Sequence, residues 1–78
     1  MEIIEVTAHF NNQGEVKLVD FYYRQQLFPV LSTGRQWLDG QGRHILVMVP
    51  EERVVELLFV LPETRWYLVI PSGELSTA

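Results

Sequence analysis

The chain has no cysteine. Disulfide bonds and thiolate chemistry are therefore excluded, and cysteine usage says nothing about the redox compartment. The sequence also lacks an apolar run that approaches membrane-spanning length, and its start lacks the charged-then-apolar pattern of a leader peptide. From these features we expect a cytoplasmic protein that does not enter a membrane.

Positive charge is scarce. Six lysine and arginine residues stand against ten aspartate and glutamate residues, for a net charge of −4. Non-specific nucleic-acid binders need a basic surface, because their affinity depends on the number of phosphates they neutralise. Residues 17–43 are the one stretch with a positive balance, with four basic and two acidic residues. Any such surface is therefore expected there.

Recognisable motifs of catalysis are missing as well. There is no glycine-rich phosphate loop, no Gly-x-Ser-x-Gly elbow, and no histidine with a metal-ligating residue two or four positions further on. A site could still be assembled across strands from four titratable residues: His9, Asp20, His44 and Glu56. Isolated residues of this kind on strands are usually rim or paired residues. We therefore predict no enzyme activity, no catalytic residue, no metal site and no cofactor.

The length and the apolar content bear on domain organisation. A chain of 78 residues is expected to make one domain. We predict a single β domain over residues 1–73 and a disordered polar tail over residues 74–78. A hydrophobic content of 47% is high for a chain that can bury only about 60% of its unfolded surface. This surplus favours a partner protein or a homodimer.

Apolar and polar residues alternate along much of the chain, which is typical of β-strands. The predicted strands share this alternation or a continuous apolar pattern: residues 2–10, 16–23, 26–31, 35–38, 43–49, 54–61 and 65–70. The segments between them are rich in turn residues: 11–14, 32–34, 39–42, 50–53 and 62–64. Arg24-Gln25 is either a two-residue turn or part of a bent strand over residues 16–31.

This pattern predicts an all-β fold. Six or seven short strands with turns every 8–12 residues or so are typical of an antiparallel meander. Curling the sheet into a small, partly open barrel would hide its edges. The alternative is an α+β fold with a helix over residues 51–61, because Pro50, Glu51 and Glu52 suit a helix N-terminus. The valines of that segment favour the strand.

The two strands beside Pro50 form the central hairpin of this prediction. Pairing Val49 with Val54 would place Leu46 opposite Leu57 and His44 opposite Phe59. Both faces of the hairpin would then be mainly apolar, which is typical of strands covered on two sides.

Aromatic and basic residues are interleaved in the middle of the chain. The candidate binding residues are Tyr22, Tyr23, Arg24, Arg35, Trp37 and Arg43. This mixture is typical of protein–protein hot spots, and also of surfaces that stack the bases of single-stranded nucleic acid. Alternatively, Phe28 and Trp37 belong to the core, while the arginines cover rings or pair with Asp20 and Asp39. We predict a non-catalytic protein-interaction module, and as the alternative a small barrel that binds single-stranded nucleic acid.

A set of motifs spans residues 21–70. It comprises Phe21-Tyr22, Arg24, Phe28-Pro29-Val30, Trp37, Glu56-Leu57-Leu58-Phe59 and Trp66-Tyr67-Leu68. In this order the motifs resemble those of small bacterial β-domains of uncharacterised function, with tyrosine in the second strand where a tryptophan is expected. The resemblance implies a β-meander with a strand over residues 54–61, and it implies no activity.

Overall fold

The computed structural model describes residues 2–69, which form seven β-strands and no helix. The strands are β1 (Glu2–Phe10), β2 (Val16–Tyr23), β3 (Gln26–Pro29), β4 (Ser32–Leu38), β5 (Arg43–Val49), β6 (Arg53–Val60) and β7 (Arg65–Val69). The all-β prediction is confirmed. The described residues accordingly include no helix that could cross a membrane. The end of the predicted domain at residue 73 and the tail over residues 74–78 lie outside the described residues.

All seven strands belong to one antiparallel sheet with the order β3-β2-β1-β7-β6-β5-β4. Consecutive strands are neighbours except β3 and β4, which form the two edges. Two residues, Val30 and Leu31, connect the two edge strands. The N–H of Val30 donates to the carbonyl of Val19 on β2, and the N–H of Leu31 donates to the carbonyl of Met48 on β5. The predicted partly open barrel is therefore confirmed as a curled half-barrel.

The inner face of the curled sheet forms the hydrophobic core. It contains buried side chains from every strand except β4: Ile4, Leu18, Phe21, Tyr23, Phe28, Ile45, Val47, Val49, Val55, Leu57 and Leu68. The rings of Phe21 and Phe28 stack with their centroids 5.3 Å apart. Curling the sheet brings these side chains together without a second layer, which explains how so short a chain encloses a core.

The helix considered over residues 51–61 is wrong, because β6 occupies Arg53–Val60. Glu51 and Glu52 have φ values of +71° and +57°. These values lie in the left-handed region, whereas the first turn of a helix needs negative φ. The two glutamates thus turn the chain back on itself, and the β-branched residues after them continue as a strand.

The predicted register of the central hairpin is wrong by one residue. Val49 pairs with Arg53 and Leu46 pairs with Glu56, because the loop contains three residues rather than four. A shift of one residue exchanges the faces of a strand. Leu46 therefore lies on the outer face, while Leu57 points into the core opposite Ile45.

Two predicted boundaries also change at the edge of the sheet. The third strand ends at Pro29, and residues 32–34, predicted as a turn, begin β4. Ser32 pairs with Met48, and the register shifts between Thr33 and Gln36. Small polar residues and glycine suit both turns and bulges, so pairing with β5 decides the outcome. The two-residue turn at 24–25 is confirmed, with positive φ at both positions.

The packing of β6 gives a stability prediction. Leu57 has no solvent exposure, whereas Val54 on the same strand is 56% exposed. We expect Leu57→Ala to lower the free energy of unfolding by about 2–5 kcal/mol, since it leaves a cavity in the core. The control Val54→Ala should lower it by less than about 1 kcal/mol. Urea denaturation measures both, and equal effects would contradict the placement of Leu57.

Candidate functional site

The six predicted binding residues fall into two separate groups. Tyr22, Tyr23 and Arg24 lie at the β2–β3 turn, where an Arg24 Nη2 atom is 3.0 Å from Glu2 Oε1 at the start of β1. Arg35, Trp37 and Arg43 lie on β4 and β5, and Arg43 lines the same cleft as Phe10 at the end of β1. Since β1 has nine residues and rises about 3.3 Å per residue, the groups mark opposite ends of the sheet.

The first group belongs largely to the fold. Tyr23 is buried and its ring packs at a tilt against Phe28. The Arg24 guanidinium lies 5.1 Å from the centroid of the Tyr23 ring, in addition to its ion pair with Glu2. Tyr22 is exposed. Arg24 is exposed as well, but it is engaged by Glu2 and the Tyr23 ring.

Two residues of the second group, Arg35 and Trp37, form a stack with His44 on the outer face of the sheet, whereas Arg43 lines a cleft. The Arg35 guanidinium lies 5.2 Å from the centroid of the Trp37 ring. The Trp37 ring is parallel to the ring of His44, with the centroids 5.0 Å apart and an interplanar angle of 2°. Trp37 and His44 are directly paired across β4 and β5. Cross-strand pairing thus builds a continuous Arg35–Trp37–His44 stack.

His44 is the one buried polar residue among residues 2–69, with 5% exposure. Its Nδ1 atom is 2.5 Å from Glu56 Oε2, and its Nε2 atom is 2.8 Å from Asp39 Oδ2. The approach of Asp39 is too bent for a regular hydrogen bond from the ring N–H, so we regard that contact as an ion pair. Both ring nitrogens therefore face carboxylates.

Opposing effects act on the pKa of His44. Burial lowers this pKa, but the hydrogen bond with Glu56 and the negative charges of Asp39 and Glu56 together outweigh burial and raise it above its ordinary value. In turn, the Gln41 backbone N–H and His44 lower the pKa of Asp39. The charged forms thus support each other, and they tie the β4–β5 turn to β6.

Sequence reasoning found part of this cluster. It singled out His44 and Glu56 without settling whether they meet, and hairpin pairing places them on adjacent strands two residues out of register. It considered Asp39 only as a loop residue or as a partner for an arginine. The Asp-Gly step was the one available signal for its position. His9 and Asp20 lie on β1 and β2 and are not part of the cluster.

The arrangement is suited to positioning rather than to attack on a substrate. Both ring nitrogens of His44 are engaged and one ring face is covered by Trp37. Among residues 2–69, no three histidine, aspartate or glutamate side chains are placed to hold a metal ion. The contacts of the cluster therefore stabilise the position of the turn at residues 39–42 against the sheet.

The edge strand β4 has backbone N–H and C=O groups that can pair with an added strand. Six of its seven residues are exposed. The N–H of Asp39 donates to the carbonyl of Gly42, so that residue faces β5. Because the direction alternates along a strand, the N–H and C=O groups of Leu38 and Gln36 point to the free edge.

Two clefts adjoin this region. The end cleft, of about 500 Å³, lies between the β1–β2, β4–β5 and β6–β7 turns, and its apolar lining consists of Phe10, Val16, Leu38, Phe59, Leu61 and Trp66. The polar cleft, of about 630 Å³, includes His9, Lys17 and Gln36. Each cleft has β1 and β2 on one side and β4 and β5 on the other, and these two pairs are not neighbours in the sheet, so both clefts occupy the open mouth of the half-barrel.

Comparisons with family models, with curated proteins and with solved structures each returned no match. The resemblance over residues 21–70 therefore stays a prediction.

The histidine cluster gives a prediction on pH dependence. The pKa of His44 is raised by folding, so its protonation contributes stability fully below the unfolded pKa of about 6.5, and that contribution is lost as pH rises through the folded pKa. We therefore expect the melting temperature of the wild type to decrease as the pH rises from about 6.5 through the folded pKa of His44. His44→Gln should remove this step.

His9→Gln is the matched control, because His9 is exposed and lies on β1. This variant should keep the step of the wild type. Thermal melting followed by circular dichroism between pH 5 and 9, a range chosen around the ordinary histidine pKa of about 6.5, measures all three proteins. A step of equal size in His44→Gln would show that His44 is not its source.

Proposed function

We propose that this chain is a non-catalytic protein-interaction module that binds an extended segment of another protein chain along the free edge of β4. The observation that carries the proposal is an exposed edge strand of seven residues, unpaired on one side among residues 2–69, with the Arg35–Trp37–His44 stack beside it. A second copy of the chain can supply such a segment, which makes a homodimer one form of the proposal.

The two edges of the sheet differ in a way that favours β4. Natural proteins protect exposed edges by short strands, proline, charges or bulges. The edge strand β3 has four residues and ends at Pro29. By contrast, β4 is longer and contains no proline, and its protective features are one charged residue, Arg35, and the register shift between Thr33 and Gln36. An added strand would satisfy its open N–H and C=O groups, as in β-augmentation.

The side chains around β4 suit a protein segment. Trp37 and Arg35 belong to the residue types that dominate binding energy at protein interfaces. Beside them on the outer face lie exposed Val54 and half-buried Met48. A segment with an acidic residue near Arg35 and apolar residues near the outer face would complement this surface.

The geometry gives less support to catalysis. His44 has carboxylates at both ring nitrogens and Trp37 over its ring, so a structural role accounts for all of its contacts. We also propose a cytoplasmic location, which is the default for a chain of this composition.

The alternative of single-stranded nucleic-acid binding also receives less support. Tyr23 is in the core, and Arg24 is paired with Glu2 at the far end of the sheet. The surface near Trp37 then offers Arg35 and Arg43 as cations. Since phosphate binding scales with the number of cationic contacts, this set is small for a chain of net charge −4. Light scattering with an oligonucleotide, described below, distinguishes this alternative from protein binding.

Selection from a library of random peptides, each long enough to pair with β4, tests the proposal. We expect it to enrich strand-forming peptides with an acidic residue. Gln36→Pro should weaken their binding about tenfold or more, because it removes a free-edge N–H and obstructs strand addition without touching the β5 side. Arg35→Glu should weaken acidic peptides similarly. The matched control Arg65→Glu, an exposed arginine on β7, should not.

The solution mass from light scattering, at low and high concentration and with a mixed single-stranded oligonucleotide, completes the test. A dimer that Gln36→Pro dissociates would identify a second copy as the added strand. A mass that rises with the oligonucleotide and falls again with salt would favour the alternative. If no peptide is enriched and the chain stays monomeric, the proposal is wrong.

A further inference from the structure

We propose that the mouth of the half-barrel binds a small amphipathic carboxylate, in which an apolar chain or ring carries one carboxylate group. The end cleft and the polar cleft share four lining residues: Phe10, Gly14, Val16 and Arg43. They therefore form one continuous depression. Arg43 stands at the junction between its apolar half and its polar half.

The apolar half is built from side chains that the fold leaves in contact with water. Phe10, Leu38 and Leu61 are 60%, 71% and 71% exposed, and they come from three different strand ends around one cleft. Scattered exposed apolar residues are ordinary, but their convergence on one cleft is typical of a binding site. The volume of about 500 Å³ lies within the range of about 300–1,000 Å³ found for small-molecule sites.

The charge at the junction calls for an anion. Arg43 is half-buried, and among residues 2–69 no carboxylate forms an ion pair with it. The two carboxylates that line the clefts are engaged elsewhere. Asp39 accepts from the Gln41 and Gly42 N–H groups and contacts His44, and Glu15 accepts from the Asn11 amide.

The polar half supports the same sign of charge. Lys17 lines it next to Arg43, so two cations border this part of the depression although the chain as a whole carries −4. A guanidinium presents its donors in a planar fork that matches a carboxylate bidentately. A ligand with its carboxylate at Arg43 and its apolar part between Phe10 and Leu61 would therefore satisfy both halves at once.

Titration with hexanoate, octanoate and decanoate tests this inference. The glycine amide signals in a nitrogen–proton correlation spectrum serve as reporters. Gly14, Gly40 and Gly42 line the cleft and should shift, whereas Gly34, on the outer side of β4, should not. Affinity should rise up to about fourfold with each added methylene, because each buries more apolar surface. Acetate and octan-1-ol, which supply the head and the tail alone, should bind more weakly.

The variant Arg43→Gln should weaken octanoate about tenfold or more and leave octan-1-ol unchanged, because it removes a charge-assisted hydrogen bond. The control Arg24→Gln, at the opposite end of the sheet, should bind octanoate like the wild type. If Arg43→Gln does not fold, Leu61→Asp at an exposed position serves instead, and it should weaken octanoate more strongly than octan-1-ol.

Three results would overturn the inference. One is the absence of saturable octanoate binding, and another is binding that neither Arg43→Gln nor Leu61→Asp changes. The third is a dimer in light scattering that Leu61→Asp converts to a monomer, since a second copy would then occupy the cleft. These tests leave the outer edge of β4 unaltered, so their failure is distinguishable from failure of the proposed strand addition.

Discussion

Three residue pairs between β1 and β7 join the two halves of the sheet. Glu2, Ile3 and Ile4 pair with Leu68, Tyr67 and Trp66, and both Ile4 and Leu68 are buried in the core. Beyond Ile4, β1 continues to Phe10 with β2 as its paired neighbour and, within residues 2–69, no partner on its other side. The tip of the β1–β2 hairpin can therefore stand apart from the β6–β7 turn. The cleft at the mouth of the half-barrel is a direct consequence of this short junction.

The β4–β5 turn forms the opposite wall of that cleft, and two features keep it in place. Asp39 contacts His44, which ties the β4–β5 turn to the sheet by charge. Gly42 has a φ of +152°, and a Cβ atom there would lie 2.2 Å from the carbonyl oxygen of Phe59. The turn can lie this close to β6 because position 42 has no side chain. The Asp39–His44 ion pair and the close approach of Gly42 to β6 thus position the same turn.

The apolar surplus of the sequence has three destinations. Part of it forms the core on the inner face, part surrounds the end cleft at Phe10, Leu38 and Leu61, and part lies on the outer face near β4. A single curled sheet cannot enclose all of it, because a sheet has two faces and the curl covers one. The two proposed binding surfaces are the two apolar regions that remain in contact with solvent, namely the end cleft and the outer face near β4.

The sequence by itself determined which segments are strands and which residues turn the chain, because alternation and turn chemistry act between near neighbours. Three strands were predicted with the observed bounds, and the main turns lie where they were expected. Tertiary structure decided the register at Val49, the entry of Ser32 into β4, and the meeting of His44, Asp39 and Glu56. It also separated Arg24 from Arg43, which the sequence had placed in one candidate site. These outcomes depend on pairing between strands and on the curl of the sheet, which no local pattern contains.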